Sequence, residues 1–334
     1  MQTYRRAPFF LLVLTGLLLV SMLLVACGGA APATNTTGGK SLTSVSIGLG
    51  YIPDIQFAPF YVAVNKGYYQ EAGLDVKLNH GVVPDLFGEM MAGKDTFVFA
   101  GGDDTLVARS KSLPVVDVAT IYPSYPISLI VPEASSIKNL ADIKGHTIGV
   151  PGKYGSTYVG LLALLNAVHL TENDVKLQTI GFTQVSALKS GHVDAVMGYT
   201  NNEPLQLRRL GMPVRTFDVP NYQPMVSNGI VTTEKTLSSQ ASMVRAFVQA
   251  TIKGLNYVLA NPADAVQISK SFIPNMNLTQ ATDELNATLP IWKGNGQHAL
   301  GYNDLATWQA MAQFMASEKL IPASSDVSKA FTNV

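Results

Sequence analysis

The sequence predicts an α/β protein built from two lobes with a ligand cleft between them. Short runs rich in β-branched residues alternate with helix-like segments from Thr43 onward, and this alternation is typical of α/β architecture with parallel strands. A second alternating unit begins near Thr147, and the chain becomes almost wholly helical after Ala241. The first unit and the helical tail can therefore pack as one lobe, and the middle unit forms the other.

The individual elements are predicted from apolar spacing and from the Gly, Pro and Asp residues that bound them. Strands are predicted at 45–49, 74–78, 97–100, 115–122, 127–131, 147–150, 177–181, 194–199, 214–219 and 229–232. Helices are predicted at 59–72, from 103, at 156–168, through 189, and at 241–260, 262–272, 279–292 and 302–319. The chain passes between the lobes near 122–127 and 221–229, so these two crossings form the predicted hinge.

The N-terminus predicts export and a lipid anchor. Arg5 and Arg6 precede an apolar run at 9–26, and Cys27 follows it directly. A basic start, an apolar core and small residues at the cut describe a secretory signal, and the cysteine makes it resemble a bacterial lipoprotein signal. We therefore expect a signal peptide at 1–26, then the lipidated Cys27 and a flexible linker through residue 42. An uncleaved membrane helix is the alternative, because the run is near the lower length limit for a span.

Composition argues against several classes of protein. Lys plus Arg equals Asp plus Glu at 23 each, and no basic stripe indicates nucleic-acid binding. Cys27 is the only cysteine, so neither a disulfide nor a thiol-based redox site is expected. The five histidines are scattered along the chain without the spacing of metal ligands. We expect no metal and no cofactor.

A set of short motifs carries a family resemblance. Residues 50–63 read GYIPDIQFAPFYVA, and KGYY at 66–69 and AGLDV at 72–76 follow. In these motifs the chain resembles the NMT1/THI5-like group, and the PDIQFAPFY form is most similar to riboflavin-binding members of the RibY type. The resemblance implies a two-lobed periplasmic-binding-protein-like fold of type II. Lobe I is then 43–124 plus 227–334, and lobe II is 125–226.

The resemblance also implies a function. Such a protein is the extracytoplasmic solute-binding lipoprotein of an ABC importer, held at the bacterial cell membrane by the lipid on Cys27. It captures a small molecule, here riboflavin, by closure of the two lobes and delivers it to a membrane permease. ATP would be hydrolysed by separate subunits, because the sequence has no nucleotide-binding motif. The protein is expected to act as a monomer and to catalyse no reaction.

The candidate ligand residues follow from the rule that ligands lie beyond the carboxyl ends of strands in open α/β sheets. The loops after the predicted strands, the two crossings and one helix end supply Tyr51, Asp54, Gln56, Phe57, Gly102, Asp103, Tyr122, Tyr125, Lys153, Tyr154, Gly155, Ser156, Tyr199, Asn201, Glu203, Tyr222 and Trp292. Structural roles remain open for some of them. Asp54 and Asp103 can cap helices, 152–156 can be a simple strand–helix turn, and Trp292 can belong to the core.

These loops are rich in aromatic residues and poor in cations, since Lys153 is the one cation among them. Carboxylate, phosphate and sulfonate ligands are commonly held by Arg or by helix N-termini. The loops therefore suit a flat neutral heterocycle between aromatic faces, and the paired tyrosines Tyr122 and Tyr125 are predicted to stack on it. Asp54, Gln56, Asn201 and Glu203 could bind a ribityl chain.

Four other functions compete with riboflavin capture. A thiamine pyrimidine precursor, formylamino- or hydroxymethyl-pyrimidine, is the alternative ligand, and sulfonates come third. The family also contains a THI5-like pyrimidine synthase, but its cysteine-rich motif has no counterpart here. A surface sensor or adhesive module is the remaining alternative, although no extra domain or repeat accompanies the binding fold.

Overall fold

Two five-stranded sheets organise the part of the chain that the computed structural model describes, residues 41–334. The strands are β1 (Thr43–Leu49), β2 (Leu74–His80), β3 (Phe97–Gly101), β4 (Val115–Thr120), β5 (Ile127–Pro132), β6 (Thr147–Val150), β7 (Lys176–Thr179), β8 (Ala195–Tyr199), β9 (Val214–Asp218) and β10 (Asn228–Thr233). The first sheet has the order β2-β1-β3-β10-β4, and the second has the order β7-β6-β8-β5-β9. The predicted signal peptide, the predicted lipidation at Cys27 and the predicted linker up to residue 40 lie outside the described residues.

Helices cover the sheets and form most of the C-terminal third. They are α1 (Ala58–Asn65), α2 (Tyr68–Glu71), α3 (Val83–Met91), α4 (Gly102–Ser110), α5 (Gly155–Ala167), α6 (Gln184–Lys189), α7 (Glu203–Arg209), α8 (Glu234–Ser239), α9 (Ala241–Ala260), α10 (Pro262–Ser269), α11 (Leu278–Lys293) and α12 (Leu305–Ser317). Among residues 41–334, none of these helices is both long enough and apolar enough to cross a membrane. The predicted two-lobed α/β fold is confirmed.

One predicted helix is divided in two, and three helices were not predicted. The expected helix at 59–72 is interrupted at Gly67, whose φ of 72° lies in the left-handed region that ends helices and favours glycine. The helices α7 and α8 fall in segments without a sustained apolar period, whereas α3 buries Leu86, Phe87 and Met90 on one face, a pattern that the sequence analysis missed. The three helices have six to nine residues, so tertiary contacts decide whether they form.

The expectation of parallel strands is right for most of each sheet and wrong for two strands. β1 pairs in parallel with β2 and β3, but β10 is antiparallel to β3 and β4. In the second sheet β5 is antiparallel to β8 and β9. β5 and β10 are the strands that follow a chain crossing. Each crossing leaves one sheet at the carboxyl ends of its parallel strands and enters the other sheet at the same end. The strand that follows the crossing therefore runs antiparallel to those strands.

Two main hydrophobic clusters form the core. The first joins sheet one to α1, α9 and α11 and includes Phe247 and Trp292. The second joins sheet two to α5 and to α12, which contributes Trp308 and Met315. The end of the predicted lobe I tail therefore packs in the cluster of the second sheet. The lobe boundaries 43–124 plus 227–334 and 125–226 stay predictions.

A buried polar network ties the C-terminus to the first sheet. Asn303 Nδ2 donates to Asp117 Oδ1 at 3.0 Å, and Asn303 Oδ1 accepts from Trp308 Nε1 at 2.9 Å and from Thr120 Oγ1 at 2.7 Å. Asp117 Oδ2 has no hydrogen-bond partner. Burial raises the pKa of Asp117 to about 7, so this network is sensitive to the ionisation of one carboxyl group.

Candidate functional site

A cavity lies between the two sheets, where the carboxyl ends of their parallel strands face each other. Its empty space, counted to include the open mouth, is about 730 Å³. Its walls come from both sheets: Gly50, Tyr51, Gln56, Phe57, Val82, Val83, Phe99, Asp104 and Asn228 from the first, and Pro151, Tyr154, Gly155, Ser156, Thr157, Phe182, Gln184, Tyr199, Asn202 and Glu203 from the second. We call it the aromatic cavity.

The loop after β1 contributes Tyr51, Gln56 and Phe57 to this cavity. Asp54 Oδ1 accepts from the Gln56 backbone N–H at 3.0 Å, and this bond starts a single turn of 3-10 helix at Ile55–Phe57. Asp54 thus caps the turn, one of the two roles open to it. The cap fixes the backbone that carries Gln56 and Phe57 into the wall of the cavity.

An aromatic pair joins the two lobes at the cavity. The Tyr51 and Phe182 rings meet edge to face, with centroids 4.9 Å apart and an interplanar angle of 80°. Tyr51 follows β1 and Phe182 follows β7, so the pair brings together loops that belong to different sheets. Both side chains line the cavity. The two lobes therefore contact each other through this pair in the wall of the cavity.

Glu203 is a buried carboxyl group in the cavity wall. It begins α7, and its Oε2 accepts from the Tyr199 backbone N–H at 2.8 Å. Burial raises its pKa to about 7. Position 198 beside Glu203 favours glycine, because a Cβ at this position would lie 2.8 Å from Glu203 Oε2, closer than van der Waals contact. Glu203 can therefore accept or donate a hydrogen bond near neutral pH.

Two adjacent aspartates at the start of α4 have different positions. Asp104 lines the cavity, whereas Asp103 is fully buried behind it. Asp103 Oδ1 accepts from Ser156 Oγ at 2.9 Å, and Oδ2 accepts from Tyr125 Oη at 3.2 Å. Burial raises the pKa of Asp103 to about 6, and burial with the charge of Asp103 raises the pKa of Asp104 well above its usual value. Asp103 therefore joins α4 to the segment that begins α5.

The structure brings eight of the predicted site residues together in the aromatic cavity. These are Tyr51, Gln56, Phe57, Tyr154, Gly155, Ser156, Tyr199 and Glu203. It places the other nine outside that wall: Asp54, Gly102, Asp103, Tyr122, Tyr125, Lys153, Asn201, Tyr222 and Trp292. Ligand contact by any of these residues stays a prediction.

The residues outside the wall are held by other contacts. Tyr122 is 1% exposed, and its hydroxyl donates to the Gln56 carbonyl at 3.2 Å. The Tyr125 hydroxyl donates to the Ser156 carbonyl at 2.9 Å. Trp292 is fully buried edge-on against Tyr122, the core position that the sequence left open. Both tyrosines thus support the cavity from behind in this structure, and they do not present a pair of ring faces to it.

The polar residues outside the wall are likewise engaged or exposed. Lys153 forms an exposed ion pair with Glu172, and Asn201 Nδ2 donates to Thr288 Oγ1 at 2.7 Å. Tyr222 is 41% exposed and lies on the surface of the second crossing. Gly102 is buried against Val226 and Met311. No cation is therefore left among the residues that line the aromatic cavity within 41–334.

Sequence reasoning missed several wall residues. Phe182 and Gln184 follow β7, and Val82 and Val83 follow β2; the strand-end rule would have selected these loops had it been applied to every strand. Asn228 could not be found in this way. Asn228 begins β10, which runs antiparallel to β3, and it pairs with Gly101 at the end of β3. The amino end of β10 therefore lies beside the carboxyl end of β3.

The arrangement suits recognition of a neutral, flat molecule. Aromatic side chains from both sheets surround the space, and amide and carboxyl groups offer hydrogen bonds of both senses. Within 41–334, no group of three His, Cys, Asp or Glu side chains is placed to hold a metal ion. Ser156 in the wall donates its hydroxyl hydrogen to the buried Asp103, and the wall as a whole offers aromatic surface and hydrogen-bonding groups, the features of a binding site.

Comparisons with known proteins agree with this architecture. The family model described as NMT1/THI5 like matches residues 54–265. The chain is 35% identical to the riboflavin-binding protein RibY of Chloroflexus aurantiacus, over 96% of each chain. It is 26% identical to a formylaminopyrimidine-binding protein of Halalkalibacterium halodurans, over 95% of this chain and 98% of that one.

More distant comparisons extend to an enzyme and to the fold at large. A 4-amino-5-hydroxymethyl-2-methylpyrimidine phosphate synthase of Legionella pneumophila is 23% identical over 86% of this chain and 91% of its own. The structure of the periplasmic aliphatic sulphonate binding protein SsuA of Escherichia coli superposes with a TM-score of 0.70 at 14% identity, covering 87% of this chain and 93% of that one. The latter likeness concerns the fold alone. The chain belongs to the NMT1/THI5-like family.

Proposed function

We propose that this protein captures riboflavin between its two lobes and delivers it to the permease of an ABC importer. The observation that carries the proposal is the 35% identity, over nearly the full length of both chains, to a riboflavin-binding protein. The chemistry of the aromatic cavity supports it independently of that relationship. A flavin ring is flat and neutral and carries carbonyl and N–H groups side by side.

The wall of the cavity matches these features. Tyr51 and Phe57 from the first sheet, with Phe182 and Tyr199 from the second, supply apolar and aromatic surface. Gln56 and Asn228 offer amide groups, and Glu203 offers a carboxyl group. Since no Lys, Arg or His lines this cavity within 41–334, carboxylate, phosphate and sulfonate ligands lack the usual partners for their charge.

A thiamine pyrimidine precursor is the second candidate ligand. The formylaminopyrimidine-binding relative covers as much of the chain, at a lower identity of 26%. A pyrimidine is also flat and neutral, and it too would use aromatic faces and amide groups. It is smaller than a flavin, however, and it has no fluorescence in the visible range, so a flavin titration separates the two candidates.

We propose a binding role without catalysis. The synthases in the family are more distant, at 23% identity for the Legionella protein. The cysteine-rich motif of the synthase branch has no counterpart in this chain, whose single cysteine is Cys27. The wall of the cavity offers aromatic surface and hydrogen-bonding groups from both sheets, which favours capture and release.

Export and partners complete the proposal. The body is expected to act outside the cytoplasmic membrane, held there by a lipid on Cys27, as a monomer that docks on a permease whose ATPase subunits are separate. Ligand bound between the lobes would stabilise the closed form by its contacts with both. Labelling of cells with a fatty acid should mark the unaltered protein, and Cys27→Ala should abolish the label; a label retained by the variant would contradict lipidation at Cys27.

The ligand is tested by titrating the purified full-length protein, in detergent, against riboflavin and following flavin fluorescence. Saturable quenching at submicromolar concentration is the expected result, because aromatic contacts quench a bound flavin. A formylaminopyrimidine, added as a competitor, should displace riboflavin only weakly. Absence of quenching, together with tight pyrimidine binding by calorimetry, would replace riboflavin with the second candidate.

A further inference from the structure

A second cavity adjoins the aromatic cavity. It encloses about 1300 Å³ including its mouth, and it is bounded by segments 51–55 and 273–284 on one side and by 182–189 and 203–210 on the other. Tyr51, Phe182, Gln184 and Glu203 line both cavities. The edge-to-face pair of Tyr51 and Phe182 therefore belongs to the boundary between them, and a long ligand could reach from one into the other.

Apart from Tyr51 and Phe182 at the boundary, the second cavity is lined by hydrogen-bonding and aliphatic side chains. Glu284 on α11, which is 4% exposed, is one of its lining residues. Glu284 Oε1 accepts from Gln280 Nε2 at 2.9 Å and from Gln206 Nε2 at 3.1 Å. Further polar side chains in the wall are Asp54, Thr183, Ser186, Asn275 and Asn277. Amide, hydroxyl and carboxyl groups of this kind pair with the hydroxyl groups of a polyol.

The electrostatics of this cavity disfavour additional negative charge. Burial, followed by the charge of Asp54, raises the pKa of Glu284 to about 8. Burial raises the pKa of Glu203 to about 7, with a smaller contribution from Asp54. Burial first and the charge of Asp54 second disfavour the ionised form of both glutamates, and the same two causes disfavour the binding of a further anion.

Two features of the wall act in the opposite sense. Lys189 is the cation among the lining residues within 41–334, and its Nζ lies 3.4 Å from the Leu210 carbonyl. The N-terminus of α11 also opens on the cavity, but Asn277 Oδ1 already accepts from the Gln280 backbone N–H at 3.1 Å. At about pH 9, where the carboxyl groups of Glu203 and Glu284 are ionised, one lysine and one capped helix end are outnumbered by three carboxyl groups.

We propose that the second cavity holds the neutral, hydroxyl-bearing chain of the ligand and excludes a phosphate ester at the end of that chain. This inference rests on the proposed capture of riboflavin, whose ring would occupy the aromatic cavity. Glu284, with its two amide partners, is the specificity-determining residue. The free vitamin is thereby distinguished both from the bare ring and from its phosphorylated form.

The test compares three flavins on the full-length protein: riboflavin, lumiflavin, which has a methyl group in place of the ribityl chain, and flavin mononucleotide. Fluorescence titrations are run at about pH 9, above the pKa of about 8 of Glu284, so that its carboxyl group carries charge. Lumiflavin and the mononucleotide are each expected to bind at least about tenfold more weakly than riboflavin. These measurements on the unaltered protein do not depend on whether a variant folds.

Glu284→Gln assigns the discrimination to one residue. The variant keeps the shape and the hydrogen bonds of the side chain but loses its charge, so the preference for riboflavin over the mononucleotide should fall about fivefold or more. Asp283→Asn is the matched control. It removes the same charge at the next position of α11, where Asp283 pairs with Arg209 and is exposed, and it should leave the preference unchanged.

Each contrary outcome has a distinct meaning. If lumiflavin binds as tightly as riboflavin, or the mononucleotide binds equally well, the second cavity has no such role, although riboflavin capture stands. If Asp283→Asn changes the preference as much as Glu284→Gln, the discrimination comes from overall charge, and the role of Glu284 is refuted. If no flavin binds, the proposed function and this inference are both wrong.

Discussion

Aromatic side chains occur in two regions of this molecule, and the two regions use them differently. In the strand-end loops, 50–57, 151–157, 182–184 and 199–203, Tyr51 and Phe182 line a cavity. In the chain crossings, 121–126 and 219–227, Tyr122 and Tyr125 are 1% and 3% exposed, with their hydroxyl groups bonded to carbonyls of the loops. The comparison teaches that the crossings position the loops, and that the loops present surface to a ligand.

The largest effect is expected at a crossing. Tyr122→Ala removes a buried ring from the first core cluster and should lower the free energy of unfolding by about 3–5 kcal/mol, measured by denaturant titration. Tyr122→Phe is the matched control, because it removes only the hydroxyl bond to Gln56 and should cost about 0.5–1.5 kcal/mol. If Tyr122→Phe kept full stability but lost riboflavin binding, the conclusion that the crossings only position the loops would be wrong.

The next largest effect concerns pH and the strand that leads into the first crossing. Asp117 on β4 has a folded-state pKa of about 7, above its unfolded value. Protonation therefore favours the folded state, and stability falls as the pH rises. Between about pH 5 and 8, this group alone should lower the free energy of unfolding by about 2–3 kcal/mol.

Asp117→Asn should flatten that part of the dependence. The expected result is a variant close to the unaltered protein in stability at about pH 5 and more stable than it at about pH 8, because no buried charge can form. Other buried carboxyl groups, such as Glu203 and Glu284, leave a residual slope in both proteins. Equal slopes for the two proteins, from chemical denaturation at several pH values, would refute the role of Asp117.

An effect on affinity is expected in the strand-end loops. Phe182→Ala removes one ring of the pair between the lobes and should weaken riboflavin binding by about 1–3 kcal/mol, or roughly 5- to 150-fold. Phe182 is 38% exposed, so the loss of stability should be small. Tyr302→Ala is the control, because Tyr302 is similarly exposed at 42% but lies away from the cavity. Equal losses of affinity for both variants would show that Phe182 has no specific contact with the ligand.

The smallest effect is expected at Lys153. Its ion pair with Glu172 is exposed, and such pairs contribute about 1 kcal/mol or less. Lys153→Ala should therefore leave riboflavin affinity unchanged in a fluorescence titration. A clear loss of affinity would instead support the expectation from the sequence that Lys153 contacts the ligand.

The strand-end rule found the loops of the site but not every side chain in it. It selected Tyr51 and Glu203, because each follows a strand that the local pattern identifies. It selected Asp103 where the structure has Asp104 in the wall, since adjacent residues at a helix start point in different directions. It could not select Asn228, whose place depends on the antiparallel insertion of β10 between β3 and β4.

The sequence by itself determined the class of the fold, the order of its strands and main helices, and the family, because local spacing and short motifs carry that information. Tertiary structure decided which aromatic residues became core and which became cavity wall. It also decided that Glu203 and Glu284, which are far apart in the chain, both line the second cavity. Burial and pairing depend on contacts between distant segments, and a local pattern does not encode which segments meet.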